Sequence, residues 1–309
     1  MTRYLILVNP IAGRGNGEKM YPAIEQSLRA AGLDFTLRWT ERMGHASQMA
    51  AEASADGWDV VAAAGGDGTA NEVIDGLLRA RDEGRPGPAM GLIPVGRGND
   101  FGYGVGIPHD LEAACQILAT GQRRWIDVGH VVGGDYPQGR FFGNGVGIGF
   151  DAVVGFEALK LKRLSGFPSY IVAALKTIAL YFNAPTVQIE MDDQTLTQPA
   201  LMVSIMNGRR MGGGFMMAPE GMIDDGKFDL CIAGQVSRPG IFLLLPRFMQ
   251  GSQAGHPAIR MTRSARVRIT AVYGSLPAHA DGETLCVTGQ QLELQVLPKR
   301  LEMILPVQG

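Results

Sequence analysis

Three glycine-rich loops, each placed directly after a short apolar run, constrain the fold more than any other feature of the sequence. The first loop covers residues 9–17, the second residues 65–69 and the third residues 94–101. Because glycine has no Cβ, such loops turn tightly and let the backbone approach a ligand closely. Glycine supplies 43 of the 309 residues without a three-residue period, which excludes a collagen-like chain.

Strand-like and helix-like segments alternate through the first 125 residues. Residues 4–8, 35–39, 60–64 and 90–93 are typical of strands buried on both faces, and residues 18–31, 45–55 and 69–80 have helical spacing. This alternation predicts a parallel sheet covered by helices on both sides. Ligands of such sheets bind beyond the carboxyl ends of the strands, so the three glycine-rich loops should converge at one edge.

The pattern changes at about residue 126, where short alternating or apolar segments follow one another between turn residues. These segments are 126–132, 141–146, 187–191, 201–206, 228–233, 267–272 and 292–297, and they predict an antiparallel sandwich or barrel. A helical block over about 158–182, broken at Gly166 and Pro168, interrupts them. The strand-like piece 301–305 fits either of the two predicted domains.

Composition and charge exclude several classes of protein. The apolar content of 46% excludes a disordered chain, and 28 basic against 30 acidic residues give no bulk electrostatic basis for nucleic-acid binding. Residues 4–8 are too short for a signal peptide, and the longest apolar stretch, 170–182, is shorter than a membrane span. Three widely separated cysteines match no metal spacing and are expected to be buried and reduced, as in the cytoplasm.

The second glycine-rich loop, Gly65-Gly66-Asp67-Gly68-Thr69, lies between a strand-like run and a helix. Free N–H groups at a helix start, together with glycine-rich backbone, attract phosphate. Asp67 is compatible with phosphate if Mg²⁺ binds there or if Thr69 or Asn71 donates hydrogen bonds to it. The alternative is a tight strand–helix turn with an aspartate cap.

The other two loops add basic residues at equivalent places. Arg14 in the first loop and Arg97 in the third are candidate phosphate partners, because guanidinium groups pair with phosphate oxygens. A Gly-Lys-Ser/Thr sequence, the mark of a Walker A loop, is missing, and so is a Gly-x-Gly-x-x-Gly opening. Three such loops on one sheet edge predict a nucleotide site more strongly than one.

These motifs resemble the catalytic domain of the diacylglycerol kinase family, in particular its soluble bacterial lipid kinases. The similarity runs in order over nearly the whole chain. Beyond the three loops it rests on 144–151, Asn207, glycines 212–214, Pro219, 224–229 and Asp281-Gly282-Glu283. The second loop alone is also shared with NAD kinases and phosphofructokinase-like enzymes.

The resemblance implies ATP-dependent phosphorylation of a lipid hydroxyl, with the nucleotide in a cleft between two domains. The first would be an α/β domain with a parallel sheet, similar to NAD kinase and phosphofructokinase, over residues 1–127 with about 298–309 returning to it. The second would be an antiparallel β-sandwich over residues 128–297.

The resemblance also implies roles for individual residues. Glu283 would be the general base, with Asp281 and Asp67 in the catalytic set, and Met222, Asp225 and Lys227 would hold a structural Mg²⁺, the first and last through main-chain oxygens. The residues expected to bind ATP are Asn9, Gly13, Arg14, Thr40, Gly65, Gly66, Asp67, Gly68, Thr69, Asn71, Gly96, Arg97 and Asn99.

Local chemistry gives separate support for the two carboxylates near residue 282. Asp281 and Glu283 flank a glycine, so in an extended segment they would point to the same side, where they could bind a metal or accept a proton. The alternative is a charged hairpin turn, because Asp-Gly is also a strong turn signal. Residues 224–229 carry the same alternative, a solvated turn, and His279 is interpreted as structural.

Two departures from the family pattern affect the nucleotide site. Arg97 stands where the family usually has Thr, and Ala12 replaces a common Ser. Arg97 either pairs with phosphate or blocks that pocket. A kinase of NAD or another soluble alcohol is one alternative to a lipid kinase, because the second loop is shared with such enzymes. An inactive nucleotide-binding regulator is another, and Arg97 is the residue that favours it.

Two basic and apolar stretches are candidate sites of transient membrane contact, residues 160–182 and 238–268. The second has six arginines and no acidic residue. The alternative is that their apolar residues face the core while the basic residues are solvated. We expect a cytoplasmic protein, peripheral at the membrane if these stretches bind it, and a homodimer is left open.

Overall fold

Two compact units make up the chain in this computed structural model, which describes residues 2–85, 87–161, 167–180 and 184–307. One unit comprises residues 1–127 and 298–309, and the other residues 128–297. The elements of the first are β1 (Arg3–Val8), α1 (Ala12–Ala30), β2 (Asp34–Trp39), α2 (His45–Ala53), β3 (Val60–Gly65), α3 (Asp67–Asp82), β4 (Ala89–Pro94), α4 (Asp100–Gly104), α5 (Leu111–Thr120) and the start of β5 (Gln122–Gly133).

The second unit continues from β5 with strands and, in the part of the chain that the structure describes, three helices. They are β6 (Tyr136–Phe142), β7 (Gly145–Gly149), α6 (Phe150–Lys160), α7 (Phe167–Leu180), β8 (Thr186–Met191), β9 (Thr195–Met206), β10 (Phe228–Gly234), α8 (Arg238–Gln250), β11 (Ile259–Ser264), β12 (Arg266–Tyr273), β13 (Leu276–Ala280), β14 (Glu283–Gly289) and β15 (Gln291–Leu305). The last residues of β15 belong to the first unit.

The first unit is built on a parallel sheet in the order β4–β3–β1–β2, which confirms the predicted α/β class. Met303 of β15 pairs in parallel with Met90 on the free side of β4. Strands β3 and β4 are buried along their whole length because neighbours flank them and helices cover them. The apolar composition of these runs follows from that two-sided burial.

Strand β2 differs from its prediction. It lies at the edge of the sheet and, among the described residues, pairs only with β1. Its residues alternate between partly buried and exposed, so the prediction of a strand buried on both faces is wrong here. An edge position leaves one side of the strand open to solvent, and the sequence does not reveal strand order.

The second unit consists of antiparallel strands, as predicted for a sandwich. One run of neighbours is β14–β13–β7–β9–β8–β12–β15, while β10 pairs with β9 and β11, and β6 with β5. Two apolar clusters fill this unit. One includes Phe142, Ile205 and Phe228, and the other, formed partly by its helices, includes Phe150, Met206 and Phe248.

The helices of the second unit correct the predicted block. Helix α6 begins at Phe150, directly after β7, and Pro168 lies in the first turn of α7, where a missing N–H costs no helical hydrogen bond. The predicted break at Gly166 falls outside the described residues. Helix α8 occupies part of the basic and apolar stretch. Among the described residues, none of the helices is both long and apolar enough to cross a membrane.

Candidate functional site

The three glycine-rich loops converge at the carboxyl ends of β1, β3 and β4, as the sequence predicted. Side-chain amides connect them: Asn9 Nδ2 donates to Thr69 Oγ1 at 2.9 Å, and Asn16 Nδ2 donates to the Val95 carbonyl oxygen at 3.3 Å. The first loop is therefore bonded to both of the others. The three backbones form one polar surface in the first unit.

Glycine is required where these loops touch. A Cβ on Gly96 would lie 2.4 Å from the Cα of Gly66, and a Cβ on Gly17 would lie 2.0 Å from the carbonyl oxygen of Asn9. Both distances are far below van der Waals contact, so a larger residue at position 96 would separate the second and third loops, and one at position 17 would distort the first loop. Gly13 and Arg14 also have positive φ angles of 59° and 64°, which interrupt α1 within its first turn.

Asp67 is the first residue of α3, and its carboxylate reaches the third loop. Its Oδ1 accepts a hydrogen bond from the Phe101 N–H at 2.9 Å. Asn99 is buried with a φ of 49°, and its Nδ2 donates to the Gly96 carbonyl oxygen at 3.0 Å. These contacts fix the shape of the second and third loops.

The remaining predicted nucleotide residues lie around the same edge. Thr40 follows β2, and its N–H donates to the Val8 carbonyl oxygen at 2.9 Å; Thr40 and Asn71 are buried. Arg14 and Arg97 are exposed, and a Cβ on Gly13 would lie 3.9 Å from the Cγ of Arg97. The Arg97 side chain thus runs past the first loop, where phosphate binding is predicted.

Asp281 lies in a turn rather than in an extended segment. Its φ is 47° and that of Gly282 is 85°, so the chain reverses between β13 and β14. The Asp281 carboxylate is buried and accepts hydrogen bonds from the N–H groups of Gly143 at 2.7 Å, Gly145 at 2.8 Å and Asn144 at 3.1 Å. The prediction that Asp281 and Glu283 share one side of a strand is wrong, and the hairpin-turn alternative describes this backbone.

Glu283 faces an arginine that the sequence analysis did not single out. The Arg140 guanidinium lies 2.8 Å from Glu283 Oε2, and both side chains are largely buried. Arg140 also donates to the Tyr136 hydroxyl at 3.2 Å. The available signal was Arg140 directly before the predicted apolar segment 141–146, because buried charges are generally paired.

The predicted metal residues lie in the loop before β10. Asp225 Oδ1 accepts a hydrogen bond from the Lys227 N–H at 3.1 Å, and the other carboxylate oxygen forms an ion pair with Arg263. Met222 is partly exposed. Within the described residues, no group of three or more His, Cys, Asp or Glu side chains is arranged to hold a metal ion.

A small apolar cavity of about 60 Å³ lies in the second unit, lined by residues of α6, α7 and α8 and of strands β9 and β10. Phe150, Met202, Leu244 and Phe248 contribute to its wall, and Asp151 is the acidic residue among the described residues that line it. Asp151 Oδ2 lies 3.6 Å from His279 Nε2. The sequence analysis did not recognise this pair, although a histidine and an aspartate within apolar segments were signals of it.

Comparison with known proteins identifies the family. The diacylglycerol kinase catalytic domain matches residues 3–131, and the YegS C-terminal NAD kinase beta sandwich-like domain matches residues 144–305. The chain belongs to the diacylglycerol kinase family. Its members are kinases that phosphorylate an alcohol group, so this chain is a kinase of the lipid-kinase type.

Individual relatives agree with this assignment. The chain is 31% identical to a diacylglycerol kinase of Bacillus subtilis, covering 92% of this chain and 90% of the relative. It is 27% identical to one of Staphylococcus saprophyticus, covering 91% and 88%. A crystal structure of a diacylglycerol kinase from Bacillus anthracis matches with a TM-score of 0.72 at 21% identity, covering 98% of this chain and 96% of that one, which supports the fold.

Proposed function

We propose that this chain transfers the γ-phosphoryl group of ATP to the hydroxyl of a lipid of the diacylglycerol type, in a Mg²⁺-dependent reaction. The observation that carries the proposal is the convergence of three glycine-rich loops on one sheet edge, with contacts that only glycine permits. Such a surface presents backbone N–H groups to phosphate oxygens. Family membership supplies the lipid acceptor.

In this proposal the residues of the first unit hold the nucleotide. The loop amides and the guanidinium groups of Arg14 and Arg97 neutralise phosphate charge, which is most of what a phosphoryl-transfer enzyme must provide. Asp67 keeps the second loop in register with the third through the Phe101 N–H. The exposed Arg97 thereby takes over a contact that a threonine hydroxyl makes in the family pattern.

Glu283 is the proposed general base that accepts the proton of the lipid hydroxyl. Arg140 orients its carboxylate, since an ion pair at 2.8 Å fixes one oxygen. Asp281 acts indirectly, because its carboxylate is occupied by three backbone N–H groups. Its part is to hold the turn that presents Glu283.

The loop at Asp225 offers the chemistry of a Mg²⁺ site. A carboxylate and main-chain oxygens are the hard ligands that Mg²⁺ prefers, and Arg263 marks the place as one that attracts a positive charge. In the proposal Met222, Asp225 and Lys227 hold the ion through oxygen atoms. When bound, the ion neutralises the local carboxylates and stabilises the loop before β10.

Helix α8 supports the proposed contact with a membrane surface. Ile241, Leu244 and Phe248 are buried, whereas Phe242 is 46% and Leu243 75% exposed. Arg238 and Arg247 lie on the same helix and would attract anionic headgroups. A variant with Leu243→Glu should sediment less with vesicles containing anionic lipid, while Leu243→Phe should keep binding.

Radiolabelled ATP tests the function across a panel of acceptors: diacylglycerol, phosphatidylglycerol, a sphingoid base, NAD and glycerol. We expect Mg²⁺-dependent label transfer to a lipid of the panel. Transfer of label only to NAD or only to glycerol would show that the chain is a kinase of a soluble alcohol rather than of a lipid. ATP binding without transfer of label to any acceptor would indicate a nucleotide-binding regulator.

A further inference from the structure

The pair formed by Asp151 and His279 lacks the hydrogen bonds expected of buried polar groups. Asp151 is 7% and His279 4% exposed. Asp151 Oδ2 and both ring nitrogens of His279 have no hydrogen-bond partner among the described residues. Because buried polar groups are generally hydrogen-bonded and destabilise the fold when they are not, three such atoms together indicate a site for a polar partner.

Space for this pair is provided by a glycine of the sheet. A Cβ on Gly147 would lie 2.1 Å from Asp151 Oδ2 and 2.6 Å from His279 Nε2. Gly147 of β7 pairs with His279 of β13 on one side and with Ser204 of β9 on the other. The two charged or polar side chains therefore occupy a recess that any larger residue at this position would fill.

A further buried hydroxyl lies in the same row of the sheet. Ser204 is fully buried, and its Oγ also lacks a hydrogen-bond partner among the described residues. Cys231 of β10 comes next in the row, and burial, followed by the Asp151 carboxylate, raises the pKa of its thiol to about 12. The row offers a hydrogen-bond donor in His279 and a hydroxyl in Ser204, and the Asp151 carboxylate of α6 lies beside it and lines the apolar cavity.

We propose that Asp151 and His279 bind the polar head of the lipid substrate and determine its class, with the adjoining apolar segment entering the cavity. Asp151 accepts a hydrogen bond from a glycerol hydroxyl, and His279 donates one to an ester carbonyl. The inference rests on the proposed lipid kinase function. The cavity of about 60 Å³ holds only a short segment, so recognition concentrates on the atoms next to the head.

The donor and acceptor pattern favours an acylglycerol over an amino-alcohol lipid. Neutral histidine has one N–H donor and protonated histidine has two, so His279 offers a donor in either state. An acylglycerol has hydroxyl donors for Asp151 and ester acceptors for His279. A sphingoid base has no ester carbonyl, so the hydrogen bond proposed for the His279 N–H would not form, which costs affinity.

Binding without ATP tests the inference separately from catalysis. The probes are a radiolabelled monoacylglycerol and a sphingoid base of matched chain length in neutral detergent micelles. For the monoacylglycerol we expect His279→Leu to weaken binding about tenfold and His279→Gln, which keeps an N–H donor, to stay within about threefold of wild type. The sphingoid base should bind His279→Leu and wild type alike.

Controls separate recognition from folding. His130→Leu removes a histidine of the same unit whose ring packs on Phe141, whereas His279 lies beside Asp151, and it should leave binding unchanged. If His279→Leu does not fold, Asp151→Asn and His279→Gln still test the site. We expect Asp151→Asn to fold and to weaken monoacylglycerol binding several-fold, because an amide is a weaker acceptor than a carboxylate.

Two outcomes would overturn the inference. In His279→Leu, the affinities for the monoacylglycerol and the sphingoid base could fall equally, or neither affinity could fall. Wild-type protein that phosphorylates no lipid yet binds the monoacylglycerol through His279 would disprove the kinase proposal alone. Phosphorylation of the monoacylglycerol with unchanged kcat and KM in both His279→Leu and Asp151→Asn would disprove this inference alone.

Discussion

The Asp67 carboxylate accepts a hydrogen bond from the N–H of Phe101 at 2.9 Å, which connects the second glycine-rich loop to the third. The Asp67 side chain at the start of α3 thereby holds the first turn of α4, which begins directly after Asn99. An acidic residue beside a proposed phosphate site is explained in part by this structural contact.

Asp67→Ala should lower lipid phosphorylation more than tenfold, a loss above about 1.4 kcal/mol in transition-state energy. The reason is that the loops lose a cross-connection and the site loses a carboxylate. Steady-state kinetics with radiolabelled ATP measure the effect. Asp82→Ala, at the other end of α3, is the matched control and should retain activity. Turnover within tenfold of wild type in Asp67→Ala would refute the assignment.

Arg97→Thr restores the family residue but removes a charge from the third loop. If Arg97 pairs with phosphate, ATP affinity should fall by about 1.5–3 kcal/mol, the range of a charged hydrogen bond. Calorimetric titration of ATP into both proteins gives the difference. Arg38→Thr, on exposed β2, serves as the control. Unchanged or higher affinity would mean that Arg97 points away from the nucleotide.

Glu283→Gln keeps the shape of the side chain but removes its proton-accepting charge. We expect kcat to fall by about 10²–10⁴-fold, the usual contribution of a general base, with ATP affinity unchanged. Arg140→Met should have a smaller effect in the same direction, because Arg140 positions Glu283 across 2.8 Å. Comparable kcat in Glu283→Gln and wild type would assign the base to another residue.

Asp225→Asn tests the proposed Mg²⁺ site through stability. An ion that binds only the folded state raises Tm, so Mg²⁺ should stabilise the wild-type protein but not this variant. Thermal unfolding with Mg²⁺ and with a chelator measures both. Asp224→Asn, the neighbouring residue, should respond to Mg²⁺ like wild type. The same Tm for wild type under both conditions would count against the site.

Asp229 should make stability depend on pH. Burial, and then the Glu220 carboxylate, raise the pKa of Asp229 to about 6, despite the Arg263 guanidinium 3.3 Å away. Between the ordinary Asp pKa of 3.8 and about 6 the folded state binds more protons than the unfolded state, so this group lowers stability as pH rises.

Asp229→Asn removes that titration. Its free energy of unfolding relative to wild type should therefore rise between pH 4 and pH 7, by on the order of 1–3 kcal/mol. Denaturant unfolding at several pH values gives this difference. The exposed Asp193→Asn control should show none. A constant difference for Asp229→Asn across the range would contradict the raised pKa.

Much of the first unit was predictable because strand, glycine-rich loop and helix follow one another locally. The β3–Gly65–α3 sequence has a single reasonable fold, and its loop lies where parallel-sheet ligands bind. Exposure of β2 was not predictable, since it depends on which strand ends the sheet. Apolar content alone does not distinguish an edge from a centre.

The site in the second unit was harder to predict because its geometry depends on distant residues. Asp281 adopts a positive φ while three N–H groups from residues 143–145 bind its carboxylate, and these are remote in sequence. The sequence indicated a structural role for His279. The fold places Asp151, at the start of α6 directly after β7, beside it. Local patterns identify residue types but not long-range partners.

The pairing of Met303 with Met90 has a consequence for how the protein is made. Residues 298–309 leave the ribosome after all of residues 128–297, yet they belong to the same compact unit as residues 1–127. The sheet beneath the glycine-rich loops therefore lacks a strand until residues 128–297 have been synthesised. Closing so long a connection is slow, so the unit that is translated first is completed last.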